Sequence, residues 1–276
     1  MRDVILFGDC LDTLKQFDEK ARMCVTSPPY YGMTNYGDEN NQIGLESTPE
    51  EYVNKLVEVF REVRNCLTDD GTLWLNMGDS YYNYRPGKGQ ALVKQSVATN
   101  KQDLPDNCPR RGNKLEGIKE KDLIGIPWMV AFALRADGWY LRQDIIWNKP
   151  NPMPESVRDR CTKSHEYIFL LSKKQRYYFN VDSIKEPTVD GKSLKRKKSV
   201  WEVKLKPYKD AHFATYPSDL IKPCILAGSQ ENDIILDPFI GSGTTAMVAK
   251  SLGRDYLGCE LHKDYSNLID KRLLSI

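Results

Sequence analysis

Ile234-Ile235-Leu236-Asp237-Pro238-Phe239-Ile240-Gly241-Ser242-Gly243-Thr244-Thr245 is the stretch whose reading decides the fold. Its apolar start reads as a buried strand and its centre as a Gly-rich turn. Residues 244–252 read as a helix, with Gly253 just past its end. Another strand pattern, Tyr256-Leu257-Gly258-Cys259, then ends on an acid, Glu260. Strand, Gly-rich turn, helix, strand and acid form the unit in which such a turn binds a nucleoside. The glycines let a ligand approach the backbone, and the helix N-terminus favours a carboxylate or phosphate. Glu260 is placed to accept hydrogen bonds from both ribose hydroxyls. The position that would hold the third glycine of a dinucleotide fingerprint is Ala246, so NAD is disfavoured. Read without Glu260, the turn could also be a tight strand–helix connection that binds nothing.

A second punctuated strand lies near the other end. Residues 24–26 read as a short strand and run into Ser27-Pro28-Pro29-Tyr30. Two prolines fix φ, remove backbone donors and hold the preceding residue extended. The chain can therefore continue neither as strand nor as helix, and Tyr30 is expected to be thrown outwards on a stiff loop. Carbonyl and hydroxyl oxygens beside an aromatic face suit a flat heterocycle that carries an amino group. Taken by itself, the tetrapeptide also reads as a proline-stiffened turn with an incidental tyrosine.

Between these sites the chain alternates strands and helices. Val4-Ile5-Leu6-Phe7 is a short buried strand ended by Gly8-Asp9, and Leu11, Leu14 and Phe17 follow at helical spacing. Thr48, Pro49 and Glu51 spell a capped helix start, with Tyr52, Leu56, Val59, Phe60, Val63 and Leu67 on its apolar face. Asp69-Asp70-Gly71 is expected to turn the chain into a strand from Thr72 to Met77. Residues 126–136 and 217–227 read as helices, residues 140–147 and 166–171 as a strand pair, and about 263–273 as a closing helix. Residues 80–122 show no period and exceed an ordinary connection, so they read as a basic insertion that orders when a ligand binds.

The 276 residues suffice for one large α/β domain or for one domain with a small appendage. A mean hydropathy of −0.56 and the absence of a 20-residue apolar run argue against a membrane protein. The start shows no signal peptide, so a cytoplasmic protein is expected. Seven scattered cysteines without C-x-x-C argue for a reducing compartment and no structural zinc, and the three histidines are too scattered for a local metal motif. The formal net charge of +2 hides two basic segments. Residues 172–212 hold twelve basic against five acidic side chains, and residues 80–122 nine against five. Basic segments on an acidic body suggest a polyanion docked on one face, although lysine-rich loops are often merely soluble.

Taken together, these motifs resemble those of the β-class S-adenosylmethionine-dependent DNA amino-methyltransferases, whose catalytic Pro-Pro-Tyr precedes the cofactor's Phe-x-Gly-x-Gly. The resemblance spans nearly the whole chain. It implies a Rossmann-like α/β fold in permuted motif order, with a seven-stranded mixed sheet, helices on both faces and one antiparallel strand. The last two strands would lie in mid-sheet beside the first. It further implies that Ser27, Pro28, Pro29 and Tyr30 are catalytic. S-adenosylmethionine would be held by Asp9, Cys10, Phe213, Thr215, Asp237, Phe239, Gly241, Ser242, Gly243, Thr244 and Glu260. Residues 1–79 and 123–171 would form the catalytic half, 211–276 the cofactor half and 172–210 the target-recognition region. There Lys195, Arg196, Lys197 and Lys198 would touch phosphates of double-stranded DNA; Arg196 and Lys198, with Arg158 and Arg160 near the 140–171 strand pair, are candidates for reading bases. No metal is implied. A homodimer and a cognate restriction endonuclease acting on the same site are partners such proteins can have, in a prokaryotic or phage setting.

The expected reaction is direct methyl transfer to an exocyclic amine on a flipped-out base. Ser27 Oγ and the Pro28 carbonyl would accept the amine hydrogens, and Tyr30 would stack on the base. A serine before Pro-Pro-Tyr points to N4 of cytosine, with N6 of adenine as the alternative. A non-catalytic DNA-binding module of the same fold is a further reading. Carbon-5 methylation would need a cysteine nucleophile. Cys224 follows a proline but lies within an apolar helix pattern, so it reads as core packing.

Overall fold

The computed structural model describes residues 1–32, 42–82, 115–205 and 216–274. Its centre is one eight-stranded sheet. The strands are β1 (Val4–Phe7), β2 (Ala21–Thr26), β3 (Leu67–Met77), β4 (Tyr140–Asn148), β5 (His165–Ser172), β8 (Val200–Glu202), β9 (Ile234–Asp237) and β10 (Asp255–Glu260). A separate small pair joins β6 (Glu186–Pro187) to β7 (Leu194–Lys195). The order across the large sheet is β1-β10-β9-β2-β3-β5-β4-β8. β5 runs antiparallel to both its neighbours, β3 and β4, and the other pairings are parallel. As expected, the last two strands of the large sheet lie beside the first, between β1 and β2.

Two layers of helices close the sheet. α1 (Cys10–Thr13), α2 (Pro49–Cys66) and α3 (Ile126–Ala136) cover one face, and α4 (Ser218–Gly228), α5 (Thr244–Ser251) and α6 (Ser266–Leu273) the other. Strand alternation feeds both cores. Cys24, Leu73, Leu75, Leu236 and Leu257 point to the first face, and Met23, Val25, Trp74, Ile235 and Tyr256 to the second. Strands buried on both faces read as near-continuous apolar runs, which is why these were legible. The capping box of α2 forms: Glu51 N–H donates to Thr48 Oγ1 at 3.2 Å and Thr48 N–H to Glu51 Oε2 at 3.3 Å. Cys224 lies in α4, fully buried, as expected of core packing.

Two elements differ from expectation. The eighth strand, β8, is absent from a seven-strand reading. It is three residues long and pairs in parallel with β4 through Ile146, Trp147 and Asn148. Trp201 is its one buried side chain, set between exposed Val200 and Glu202, so it carries no readable period. Asp69-Asp70-Gly71 is not a turn before the strand. β3 starts at Leu67, and these residues form an irregularity opposite the Ala21–Met23 step of β2. Arg22 anchors it with an ion pair to Asp70 at 2.5 Å. A Cβ on Gly71 would lie 2.9 Å from Leu67 Cβ and the Thr68 carbonyl, so the close approach requires glycine.

Most of the 80–122 insertion, residues 83–114, lies outside the described residues. Residues 173–205 do not stand apart. Tyr177, Phe179, Ile184, Val203 and Leu205 pack against the second core. Among the described residues, no helix is long and apolar enough to cross a membrane.

Candidate active site

The parallel strands β1, β2, β9 and β10 end at one edge of the sheet, and their terminal loops converge on a cavity of about 260 Å3. This is where open α/β sheets bind ligands. Ser27, Pro28, Pro29 and Tyr30 line one side. Asp9, Cys10, Phe239, Gly241, Ser242, Thr244 and Glu260 line the other. Two motifs more than 200 residues apart in sequence meet because β2 and β9 are neighbours, paired through Met23 with Ile235 and Cys24 with Leu236.

Asp237 and Gly243, expected among the cofactor contacts, are not in the cavity wall. Asp237 is 1% exposed and already saturated. Its Oδ1 accepts from Thr26 Oγ1 at 2.6 Å and from Phe239 N–H at 3.0 Å. Its Oδ2 accepts from Thr245 Oγ1 at 2.5 Å and Tyr216 OH at 3.0 Å. The carboxylate therefore ties the residue preceding Ser27 to the glycine loop. Burial pushes it above the usual carboxylate range and these donors pull it back. Gly243 shapes the turn from behind: its φ of 82° is left-handed, and its N–H donates to the Ile240 carbonyl at 2.9 Å.

Glu260 does face the cavity. Oε2 accepts from Gly241 N–H and Oε1 from His262 N–H, both at 2.9 Å, which leaves each oxygen a further lone pair. Desolvation outweighs those amides and pushes its carboxyl up to about 7. Asp9 is spent partly on its own helix, accepting from Leu11 N–H at 2.9 Å as the N-cap of α1. Burial and the Asp9 charge push the Cys10 thiol up to about 12, so it meets a ligand as a neutral group. Ser242 is 1% exposed and its hydroxyl has no partner, although it lines the cavity. A buried orphan hydroxyl, a carboxylate with spare lone pairs and the apolar walls of Phe239, Ile240 and Leu261 fit the polar ribose and flat base of S-adenosylmethionine. Phe213 and Thr215 lie outside the described residues; the adjacent Tyr216 lines the cavity.

Tyr30 differs from expectation. It does not project outwards: its ring is partly buried in the cavity wall, and its hydroxyl donates to Glu166 Oε2 at 2.7 Å. A Cβ on Gly78 would stand 2.8 Å from the ring and 3.2 Å from Glu166, so glycine at that strand end makes room for both. The Pro29 carbonyl accepts from Tyr52 OH at 2.8 Å, which pins the loop to α2.

Sequence reasoning missed Asn76, Trp147, Lys149 and Glu166, which complete this side. Glu166 accepts from Asn76 Nδ2 at 3.2 Å and is ion-paired with Lys149, whose ammonium sits 4.3 Å from the centre of the Trp147 ring. The signal was an acid at the head of an apolar strand, in His165-Glu166-Tyr167-Ile168-Phe169.

Lys195, Arg196, Lys197 and Lys198 are not brought to the cavity. They precede β8, which pairs with Ile146, Trp147 and Asn148 at the cavity end of β4, so they lie just upstream of that edge. Lys197 is ion-paired with Glu186 at 2.5 Å. Arg160 is paired with Glu155 at 2.6 Å and lies over the Tyr81 ring at 3.8 Å. Among the described residues, no group of three or more His, Cys, Asp or Glu is placed to hold a metal ion.

Known proteins match this arrangement. Residues 21–271 fit the N6/N4 methyltransferase family, described as DNA methylase. The Type II methyltransferase M.SmaI of Serratia marcescens is 48% identical over 272 residues, covering 98% of this chain and 90% of that protein. M.Cfr9I of Citrobacter freundii is 47% identical over 267 residues, covering 96% and 86%. The fold is shared with the PvuII DNA methyltransferase, described as cytosine-N4-specific. That comparison gives a TM-score of 0.71 at 17% identity, over 99% of this chain and 86% of that one. A putative DNA modification methylase from Thermus thermophilus, complexed with S-adenosyl-L-methionine, gives 0.65 at 23% identity over 98% and 93%. With a family match across almost its whole length and relatives near half identity, the chain belongs to the N6/N4 DNA methylase family of S-adenosylmethionine-dependent amino-methyltransferases.

Proposed function

We propose that this protein methylates the exocyclic N4 amine of cytosine at a specific site in duplex DNA. The observation that carries the reading is the Thr26–Asp237 hydrogen bond, which locks the Ser-Pro-Pro-Tyr loop to the glycine loop across one cavity. Methyl donor and acceptor amine are thereby held side by side, which is most of what direct transfer needs. Bound S-adenosylmethionine supplies the activated methyl group. Glu260, Ser242 and the Gly241 turn would hold it, with Phe239 and Ile240 against its base.

On the other side, Ser27 Oγ and the Pro28 carbonyl accept the amine hydrogens. That draws the nitrogen towards tetrahedral geometry and localises its lone pair. The base must leave the duplex to reach them, with the Tyr30 ring as its wall. The lean to cytosine rests on the serine before Pro-Pro-Tyr, because the ring acceptor beside the amine, N3 in cytosine and N1 in adenine, is common to both bases. A homodimer and a restriction endonuclease sharing the site belong to the same proposal.

The test is transfer of labelled methyl to duplex DNA, followed by digestion to nucleosides and mass measurement. N4-methyldeoxycytidine is expected. N6-methyldeoxyadenosine would overturn the choice of base. DNA binding without transfer, unchanged by Tyr30→Ala, would overturn the enzyme reading.

A further inference from the structure

Amine methylation leaves a proton to dispose of. The nitrogen takes the methyl group as a cation equivalent, its former bonding pair staying on the donor sulfur, and is left positively charged. One N–H bond must break with its pair retained by nitrogen. Among the described residues, Ser27 Oγ, Tyr30 OH and Glu166 follow one another along the cavity wall. Ser27 Oγ is 3.4 Å from Tyr30 OH, at the long limit of a hydrogen bond, and Tyr30 OH is 2.7 Å from Glu166 Oε2. Catalytic hydrogen bonds are often long before a substrate is bound.

The direction of this chain is forced. A carboxylate accepts, so the Tyr30 proton points to Glu166 at 2.7 Å rather than to Asn76 Oδ1 at 3.4 Å. The Tyr30 oxygen is then an acceptor, so Ser27 must donate to it. The lone pairs of Ser27 consequently face the cavity, where an amino group donates. Burial and the Glu166 charge push the Tyr30 phenol well above its usual range, so it passes a proton on only by gaining one. Asn76 and Lys149 fix the far end, Asn76 by donating to Glu166 Oε2 and Lys149 by ion pairing at Oε1.

We propose that Glu166 is the terminal acceptor of the amine proton, reached through Ser27 and Tyr30. The amine proton goes to Ser27 Oγ, the Ser27 proton to the Tyr30 oxygen and the Tyr30 proton to Glu166. The products are a neutral methylamine and a carboxylic acid, which returns its proton to water when the product leaves. Before transfer, the same chain is a positioning device that keeps Ser27 an acceptor. The proposal rests on reading the site as an amine methyltransferase, but it holds for either base.

Tyr30→Phe keeps the ring and removes the relay, and Glu166→Gln keeps the shape and removes the proton acceptor. Each is expected to slow single-turnover methyl transfer by about 10²-fold, the low end of general acid–base effects, with cofactor and duplex affinities within about twofold of wild type. The double variant should be no slower than the slower single one, because both cut one chain. The 13Cζ resonance of Tyr30, identified by its absence in Tyr30→Phe, should shift in Glu166→Gln whatever the activity. A wild-type rate in Tyr30→Phe, or losses that multiply in the double variant, overturns the relay. If Glu166→Gln fails to fold, Tyr30→Phe alone decides. Wild-type protein that transfers no methyl to duplex DNA overturns the amine-methyltransferase reading and the relay with it.

Discussion

The two sides of the cavity are built differently. On the cofactor side the acids are locked mostly by groups near them in the chain. Asp237 is held by its own loop, the following helix and the adjacent strand, and Glu260 by two backbone amides. On the acceptor side, Ser27 is oriented through Tyr30 by side chains from β3 and β5 and by the residue following β4. The first side is set mainly by groups within about twenty positions of each acid, with Thr26 of the neighbouring strand as the distant donor. The second is set by which strands happen to be neighbours.

That contrast predicts how substitutions divide. The largest effect is expected at Asp237, because Asp237→Ala strands four buried donors. A loss of roughly 3–5 kcal/mol is expected, and urea unfolding would show it as a lowered midpoint. An unmoved midpoint would remove Asp237 as the link between the halves. Ser27→Ala should leave that midpoint in place and slow single-turnover transfer by about 10²–10³-fold, with cofactor affinity unchanged. Equal losses in affinity and rate would mean that the two sides are not separable.

Glu260 connects the contrast to pH. Its carboxyl is raised to about 7, so between about 4.5 and 7 the folded state holds a proton that the unfolded state has released. This contribution to stability is complete below the unfolded value and is lost as pH rises through about 7. Cofactor binding runs the other way, since the ionised carboxylate accepts from ribose. Affinity should fall by up to about tenfold per unit as pH drops below 7, and Glu260→Gln should flatten the profile in isothermal titration. A wild-type profile flat from pH 6 to 8 would exclude Glu260 from the ribose.

Gly78→Ala probes the acceptor side by crowding. The added carbon meets the Tyr30 ring at 2.8 Å, so a cost of about 1–3 kcal/mol and a slower transfer step are expected together. Full activity would show that Tyr30 can shift without consequence. The smallest effect is expected at the basic cluster. If Lys195, Arg196 and Lys198 touch phosphates, neutralising them with Lys197 should reduce the salt slope of DNA binding by about 3 or less, because Lys197 is already paired with Glu186. No change in slope would take the cluster out of the DNA interface.

The cofactor side was largely legible in advance, because glycine, proline and apolar alternation act over a few residues. The loop from Asp237 to Thr245 reads as a strand-to-helix turn in any context. Asp237 is where the structure departs from that reading: it lies buried under four donors rather than in the cavity wall. The outward Tyr30 is a similar departure. The prolines do stiffen the loop, but where the ring goes depends on the space above Gly78 and on a carboxylate that lies 136 positions away.

By itself, the sequence determined the class of fold, the strand–turn–helix at the cavity edge and the proline-stiffened loop that faces it. Those follow from steric limits on the backbone and from burial of both sheet faces. Only the tertiary structure decided which residues serve that loop. β5 runs against its neighbours, so its first residues rather than its last stand at the cavity edge. Glu166 reaches the cavity wall through that reversal, because a strand's direction in a sheet is set by the path of the whole chain and leaves no mark on the residues within it.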